Sequence, residues 1–485
     1  MTVDALRMAG AQRDRVGSEA WWVFPAVPLL TAAVAFAWIL RAELQRVYGM
    51  TALGWDLAYD QQVVWEITQG HGFYSSFARA NFLGIHLEPI FLVLAAVEKL
   101  WPSPIVLLIF GSAGLAATGP AAYFFFRALL PADRPASPWL AVALAAPIPF
   151  WAAIQEAARD FFHPENMALS FALLAAWAGI RGRRVAMWTF CVLDLSCKED
   201  QVYTVALIAI LLSGYGAPAV KKHWRFVLYL AVAWFLIGTG IVQQQFRNAG
   251  YSDFIYYLWL FGLDPATPVS PLAIAEAMVR PQALSTLAAI IGSMFALPLL
   301  APRWLLLAIP PYLANVLSAH NAQNDLHLHY VLLLLFPLMV AGGLGARRLL
   351  LMRSLKPAVA LAAVLPALIL GLGTGRFPPA LLAHQNLYSR PNSVGELARA
   401  TSMIPRDAPV NADAGLAVWL ANRHTINDFP DKLDVSCYVV IDDDLFLGRT
   451  TNRVKRQQAA DALATSSRRL LYDNGRFQVW SPVGD

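Results

Sequence analysis

Apolar runs of membrane-spanning length recur along most of this chain, and the polar loops between them are of two kinds. One kind carries mainly arginine and lysine. The other gathers acids and histidines into five knots, Asp56–Asp60, His86–Glu88, Glu156–Glu165, Lys198–Asp200 and His320–Tyr330. A transmembrane helix needs about 20 apolar residues, and Lys and Arg concentrate on cytoplasmic loops. The 485 residues are 58% hydrophobic and 14% charged, where soluble proteins carry roughly 25% charged residues. Mean hydropathy is +0.49. These values indicate an α-helical polytopic membrane protein. The formal net charge of +5 comes from basic residues placed between apolar runs. That pattern fits positive-inside loops and argues against nucleic acid as a partner.

Threading the chain with this rule predicts about eleven transmembrane helices. The first run, about 22–39, is too long for a signal-peptide core and reads as a retained span leading outward from a cytoplasmic N-terminus, 1–21. Residues 41–80 mix Trp55, Tyr59, Trp65 and Tyr74 with charged residues, which suits helices lying at the membrane surface. The run 85–101 is bordered by Glu88, Pro89, Glu98, Lys99, Pro102 and Pro104. Read as an outer interfacial or re-entrant helix, it keeps the later basic loops inside. Ten further runs then alternate: about 105–126, 139–154, 167–179, 185–196, 202–212, 226–243, 284–300, 304–317, 331–344 and 357–373. All five polar knots fall on the outer face. The expected layout is a transmembrane domain over 22–375, with outer interfacial helices at about 43–101, followed by an extracytoplasmic domain over 376–485. The last stretch is polar and Pro-punctuated, with short apolar strands near 435–441 and 477–480 and an Asn474-Gly475 hairpin turn between strands. It reads as a mixed α/β domain.

Ionisable residues are costly near lipid, so their convergence at one face suggests a working site. Asp56 and Asp60 at i,i+4 share a helical face. They suit a general base or a metal-binding carboxylate, or simply two solvated acids on a surface helix. Glu156, Asp160, His163 and Glu165, with Phe161 and Phe162, suit a lined cavity; Asp160 and His163 are candidates for a divalent cation or a sugar hydroxyl, against ordinary loop polarity. Lys198, Glu199 and Asp200 sit between arms of about a dozen residues, roughly 18 Å of helix against about 30 Å of hydrocarbon. Their tip must therefore lie in a recess, as a phosphate-binding group or a self-neutralised knot. His327, His329 and Tyr330 suit phosphate or hydroxyl contacts. An i,i+2 histidine pair binds one metal only on extended backbone. His86 and Glu88 open the interfacial helix as ligands or as a polar cap. The three cysteines lack CxxC or zinc spacing, and no P-loop or dinucleotide fingerprint is present.

The Asp56–Gln61 segment, His86-Leu-Glu-Pro, Asp160-Phe-Phe-His-Pro-Glu165, Cys197-Lys-Glu-Asp200 and His329-Tyr330 resemble the bacterial membrane proteins of domain-of-unknown-function family 2079, over about residues 30–480. That family is similar to the GT-C glycosyltransferases. The resemblance implies a GT-C-like fold in the bacterial inner membrane. It also implies a polyprenyl-phosphate sugar donor and a glycan, lipid or protein acceptor. Asp56, in the place of the essential first-loop acid, becomes the expected catalytic residue. Asp60, His86, Glu88, Asp160, His163, Glu165, Lys198, Glu199, Asp200, His327, His329 and Tyr330 become expected substrate contacts. No cofactor is assigned, and a divalent cation at Asp160 and His163 is compatible. A transporter or lipid flippase is the alternative, and a non-catalytic assembly factor a third reading. Transport paths usually reach the midplane through repeats, and this sequence shows none.

Overall fold

The structure is a computed structural model that describes residues 23–52, 56–247, 255–263, 269–353, 355–366, 369, 391–430, 433–443, 458 and 461–484. The expected N-terminal segment 1–21 and the expected domain boundary near 375 lie outside the described residues. Helix α1 (Val23–Tyr48) runs past the end expected near residue 39. Its C-terminus turns through Met50, whose φ is +58°. Helix α2 (Asp56–Gln69) begins with an acid, which favours the positive helix N-terminus. It stops at Gly70, where φ is +85° and a side chain would be strained. A two-stranded hairpin, β1 (Tyr74–Ser75) and β2 (Ala80–Asn81), follows. Helix α3 (Phe91–Glu98) has eight residues, about 12 Å, which is too short to cross a bilayer.

Helix α4 (Ile105–Leu129) is the long central element and packs against both α1 and α7 (Glu165–Ile180). The run expected at 139–154 is broken. Pro147 and Pro149 end α5 (Ser137–Ala145) and force a 3-10 turn before α6 (Ala152–Arg159). The Lys198 knot joins α8 (Arg184–Leu195) to α9 (Gln201–Tyr215), both short as expected. Helix α10 (Trp224–Ile237) continues through a π-helical turn, and α11 (Pro271–Met278) and α12 (Pro281–Ser293) follow. The runs expected as single spans at 284–300 and 304–317 are not continuous helices. Phe295 and Ala296 adopt positive φ, and prolines at 302, 310 and 311 divide the next stretch into pieces ending in α13 (Ile309–Val316). Helix α14 (Leu332–Met352) follows, and after it a short helix, Pro357–Ala362, at the start of the run expected at 357–373.

Among the described residues, six helical stretches are long and apolar enough to span: Phe24–Tyr48, Ile105–Leu129, Ser137–Arg159, Trp224–Phe246, Pro271–Ser293 and Asn321–Met352. Glu165–Ile180, Gln201–Tyr215 and Pro357–Pro366 are shorter apolar helices. The chain is a mostly helical, membrane-embedded protein with a C-terminal sheet domain. That domain holds a five-stranded sheet ordered β4-β3-β5-β7-β6, with β3 (Val410–Asp413), β4 (Ile426–Phe429), β5 (Tyr438–Asp442), β6 (Leu470–Asp473) and β7 (Phe477–Trp480). The β3–β4 and β3–β5 pairs are parallel, and the β5–β7 and β6–β7 pairs antiparallel. The β6–β7 turn passes through Gly475 at φ +82°, the hairpin read from Asn-Gly.

Two large apolar cores result. One fills the helical bundle. The other runs from Leu57, Phe82 and Phe91 through Phe161, Phe162 and Cys197 to Leu416, Val440 and Phe477. It joins the short helices, the polar loops and the C-terminal domain in one packed unit.

Candidate functional site

The site assembles from five segments far apart in sequence. Asp160 caps the C-terminus of α6, where Phe161 takes a left-handed φ of +66°. A phenylalanine there costs on the order of 1–3 kcal/mol, and its neighbours hold it. Asn166 Nδ2 donates to the Phe161 carbonyl at 2.8 Å. The Arg46 guanidinium lies 3.9 Å from the Phe161 ring centroid, while Arg46 donates to the Arg159 carbonyl at 2.7 Å. The end of α1 thereby fixes the loop that carries Asp160 and His163.

Leu326 and Leu328 also have positive φ, 57° and 59°. They alternate with His327 and His329 and aim the two imidazoles at different partners. His329 Nδ1 reaches Asp160 Oδ2 at 2.7 Å, whereas His327 Nδ1 lies 3.6 Å from Glu156. His163 Nε2 is 2.9 Å from the same Asp160 oxygen, and the His163 and His329 rings lie 3.8 Å apart, centroid to centroid. His329 Nε2 sits 3.8 Å from Glu165 Oε1, the oxygen that accepts the Lys198 ammonium. Asp160, His163 and His329 are arranged closely enough to share a metal ion.

The next layer surrounds this chain. Glu199 accepts from His86 Nδ1 and from the Leu87 amide, both at 2.9 Å. Gln201 donates to Asp200 at 3.0 Å. Asp60 and Glu88 are buried beside the knot, and the Tyr330 ring lies tilted at 55° to that of His320, ring centroids 5.5 Å apart. Asp56 is exposed at the first turn of α2, and its charge acts on Asp60 and His163. The sequence-derived candidates are thus gathered at one end of the bundle. His327 stands aside with Glu156, and Asp56 lies at the rim.

Burial and neighbouring charge divide these groups. Burial pushes Asp60 far above the usual carboxylate range, with Asp56 and Glu165 adding to it and His163 and Lys198 opposing. Glu88 is raised likewise, by burial and then by Asp60. Burial thus favours the protonated, hydrogen-bond-donating form of both carboxyls. Burial opposes ionisation of Asp160 too, but the charge of His163 and the contact with His329 outweigh it and hold the carboxyl well below its usual range. Burial would lower His163; the Asp160 charge reverses this and raises it to about 9. Lys198 stays charged because Glu165, Asp200 and Glu88 outweigh its burial. Asp200 is pushed up to about 7, by burial first and against the pull of Lys198. The cluster therefore holds two cations, Lys198 and His163, among carboxyls that burial pushes toward the neutral form.

Sequence reading missed residues that support the site. Arg46 gives no signal in a basic loop end. Gln61 and Gln62 sit beside Asp60 but face the C-terminal domain. Gln61 donates to Glu98 at 2.6 Å and to Asn422 at 2.7 Å. Gln62 donates to Ser76 Oγ at 2.8 Å and to the carbonyls of Arg423 at 3.0 Å and His424 at 3.1 Å.

Among solved structures, ArnT from Cupriavidus metallidurans bound to undecaprenyl phosphate is similar over 96% of this chain and 99% of that one, at 14% identity and a TM-score of 0.45. ArnT from the same organism in the apo state is similar over 93% and 98%, at 12% identity and a TM-score of 0.41. No curated protein matches the sequence. The family described as predicted membrane protein, domain of unknown function 2079, matches residues 46–480, and the chain belongs to it.

Proposed function

We propose that this protein is a membrane glycosyltransferase of GT-C type that moves a sugar from a polyprenyl-phosphate donor to an acceptor hydroxyl at the extracytoplasmic face of a bacterial inner membrane. The observation that carries this reading is the convergence of Asp56, Asp160, His163, Glu165 and Lys198 at one end of the bundle. Asp56, exposed at the rim, takes the proton from the acceptor hydroxyl as its oxygen attacks the anomeric carbon. The bond from that carbon to the phosphate oxygen breaks, and its electron pair leaves with the lipid phosphate. Lys198, anchored by Glu165, and the protonated His163 offset the charge developing on the leaving phosphate. Phosphate is a good leaving group, so no carboxylic acid has to protonate it. Asp60 and Glu88, which burial biases toward the protonated form, donate hydrogen bonds to sugar or acceptor oxygens. His86, Glu199, Asp200, His329 and Tyr330 line and orient the recess. The C-terminal domain, packed over α2, holds the acceptor.

The test uses purified full-length protein with a polyprenyl-phosphate sugar and an acceptor fraction from the cell envelope. Asp56→Asn should lower transfer by about 10²–10⁴-fold, the usual contribution of a general base, and leave the melting temperature unchanged. Undiminished transfer by this variant would remove the assigned base. Uptake or lipid flipping in liposomes without any sugar transfer would replace the reading with transport.

A further inference from the structure

A second convergence of carboxylate and imidazole lies outside the recess, where α2 meets the C-terminal domain. Glu66, in the last turn of α2, is wholly buried. Its two oxygens face two histidines: Oε2 meets His71 Nδ1, and Oε1 lies 2.8 Å from His424 Nδ1. His71 arrives from the turn after Gly70, where its own amide donates to the Glu66 carbonyl at 3.0 Å. That turn folds the ring back over the carboxylate. His424 arrives from the C-terminal domain just before β4. It is oriented by stacking on Tyr74, ring centroids 4.5 Å apart at 18°, and by Gln62, which donates to its carbonyl.

Three features of this trio suit a cation. The donor atoms all lie within 4.8 Å of one another, and a zinc-type ion with bonds of about 2.0–2.2 Å needs them roughly 3.3 Å apart. Small rotations of two surface imidazoles suffice. Both imidazoles present their Nδ1 atoms to the same carboxylate while their outer sides are open, with side chains 51% and 55% exposed. An ion has a route in, and water has a fourth position. The carboxylate is the one fully buried member, and its ion-pair partners among the described residues are these two imidazoles. A divalent cation held by all three side chains would pair directly with this buried carboxylate.

We propose that Glu66, His71 and His424 form a site for a divalent transition-metal ion, of zinc type, that fastens the C-terminal domain to α2. Glu66 and His71 come from the segment that begins at Asp56, and His424 comes from the sheet domain. The ion therefore bridges two parts of the fold rather than decorating one. Tyr74 and Gln62 act as positioning residues for His424. The site stands independently of the proposed transfer reaction.

The test is made on full-length protein in detergent, stripped with chelator and titrated with Co²⁺, whose visible absorption reports nitrogen and oxygen coordination, and by equilibrium dialysis with Zn²⁺. The Asp160–His163–His329 trio could also hold an ion, so the decisive quantity is the difference in stoichiometry. His71→Ala, on an exposed turn, and His424→Ala should each bind one ion per chain fewer than the wild type. Each should also lose the metal-dependent rise in melting temperature and the metal-dependent protection of the C-terminal domain from protease. His163→Ala should retain all three signals of this site. Unchanged stoichiometry in both His71→Ala and His424→Ala would overturn the proposal, as would a wild-type protein that binds no ion.

Discussion

At the scale of single residues, the polar cluster is organised by who holds a proton. His163 is charged because Asp160 is 2.9 Å away, and its pKa moves up from 6.5 to about 9. A raised histidine stabilises the fold fully below its unfolded value and loses that contribution as pH climbs through the folded one. The melting temperature of the purified protein should therefore fall by several degrees between about pH 6.5 and 9. His163→Gln should start lower and be flatter across that window. A pH profile parallel to the wild type would show that the ring is not charged. Asp160 and Lys198 were legible in the sequence because an ionisable residue between apolar runs is conspicuous. Their partners were not. Asp160 meets His329 across 169 positions, and no periodicity reports such a pairing. Glu66 escaped notice because an acid on a mixed surface helix looks like ordinary solvated polarity, yet the C-terminal domain covers it.

At the scale of elements, helix contacts set where the recess residues stand. Glu165 opens α7, which crosses α4 at Gly114. A Cβ on Gly114 would lie 2.6 Å from the Asn166 carbonyl oxygen and 2.7 Å from Met167 Cγ. Ser170 Oγ also donates to the Gly114 carbonyl at 2.8 Å. Gly114→Ala should push the first turn of α7 away, lower stability by about 1–3 kcal/mol and weaken transfer through Glu165 and Lys198. Gly214, in α9, has nothing within 4 Å of its Cβ position. Gly214→Ala should be neutral or stabilising by up to about 1 kcal/mol. Thermal melts of the two variants would show whether close approach, rather than glycine itself, matters. Apolar run length predicted α4 and α14 well, and both helices carry an internal proline, Pro120 and Pro337, without breaking. It failed at 284–300, where the helix ends at Ser293 and Phe295 and Ala296 turn left-handed, a break that carries no mark in composition.

At the scale of the whole molecule, the C-terminal domain is part of the site's foundation. Gln62 is fully buried, donates to Ser76, Arg423 and His424, and accepts from Ser75 Oγ at 2.9 Å and the Ser76 amide at 3.0 Å. Trp419 adds a bond to the Val47 carbonyl at 3.1 Å. Gln62→Leu keeps the volume but strands several buried polar groups, each worth about 1–3 kcal/mol when unpaired. It should make the C-terminal domain sensitive to protease while the bundle stays resistant. Equal resistance of both parts would show that apolar packing alone holds the domain. The alternation of strands and turns made this domain recognisable in sequence. Its seat on α2 was not, because glutamines facing a distant backbone look like those facing water.

The pairing of Asp160 with His329 also has a consequence in time. His329 is synthesised long after Asp160 has left the ribosome. Until the late segment arrives, the nascent chain must keep an acid and an imidazole at the membrane boundary without their final counterpart. A protein cut short before that point would be left with a half-built, strongly polar mouth, a feature by which quality-control proteases could tell unfinished chains from finished ones.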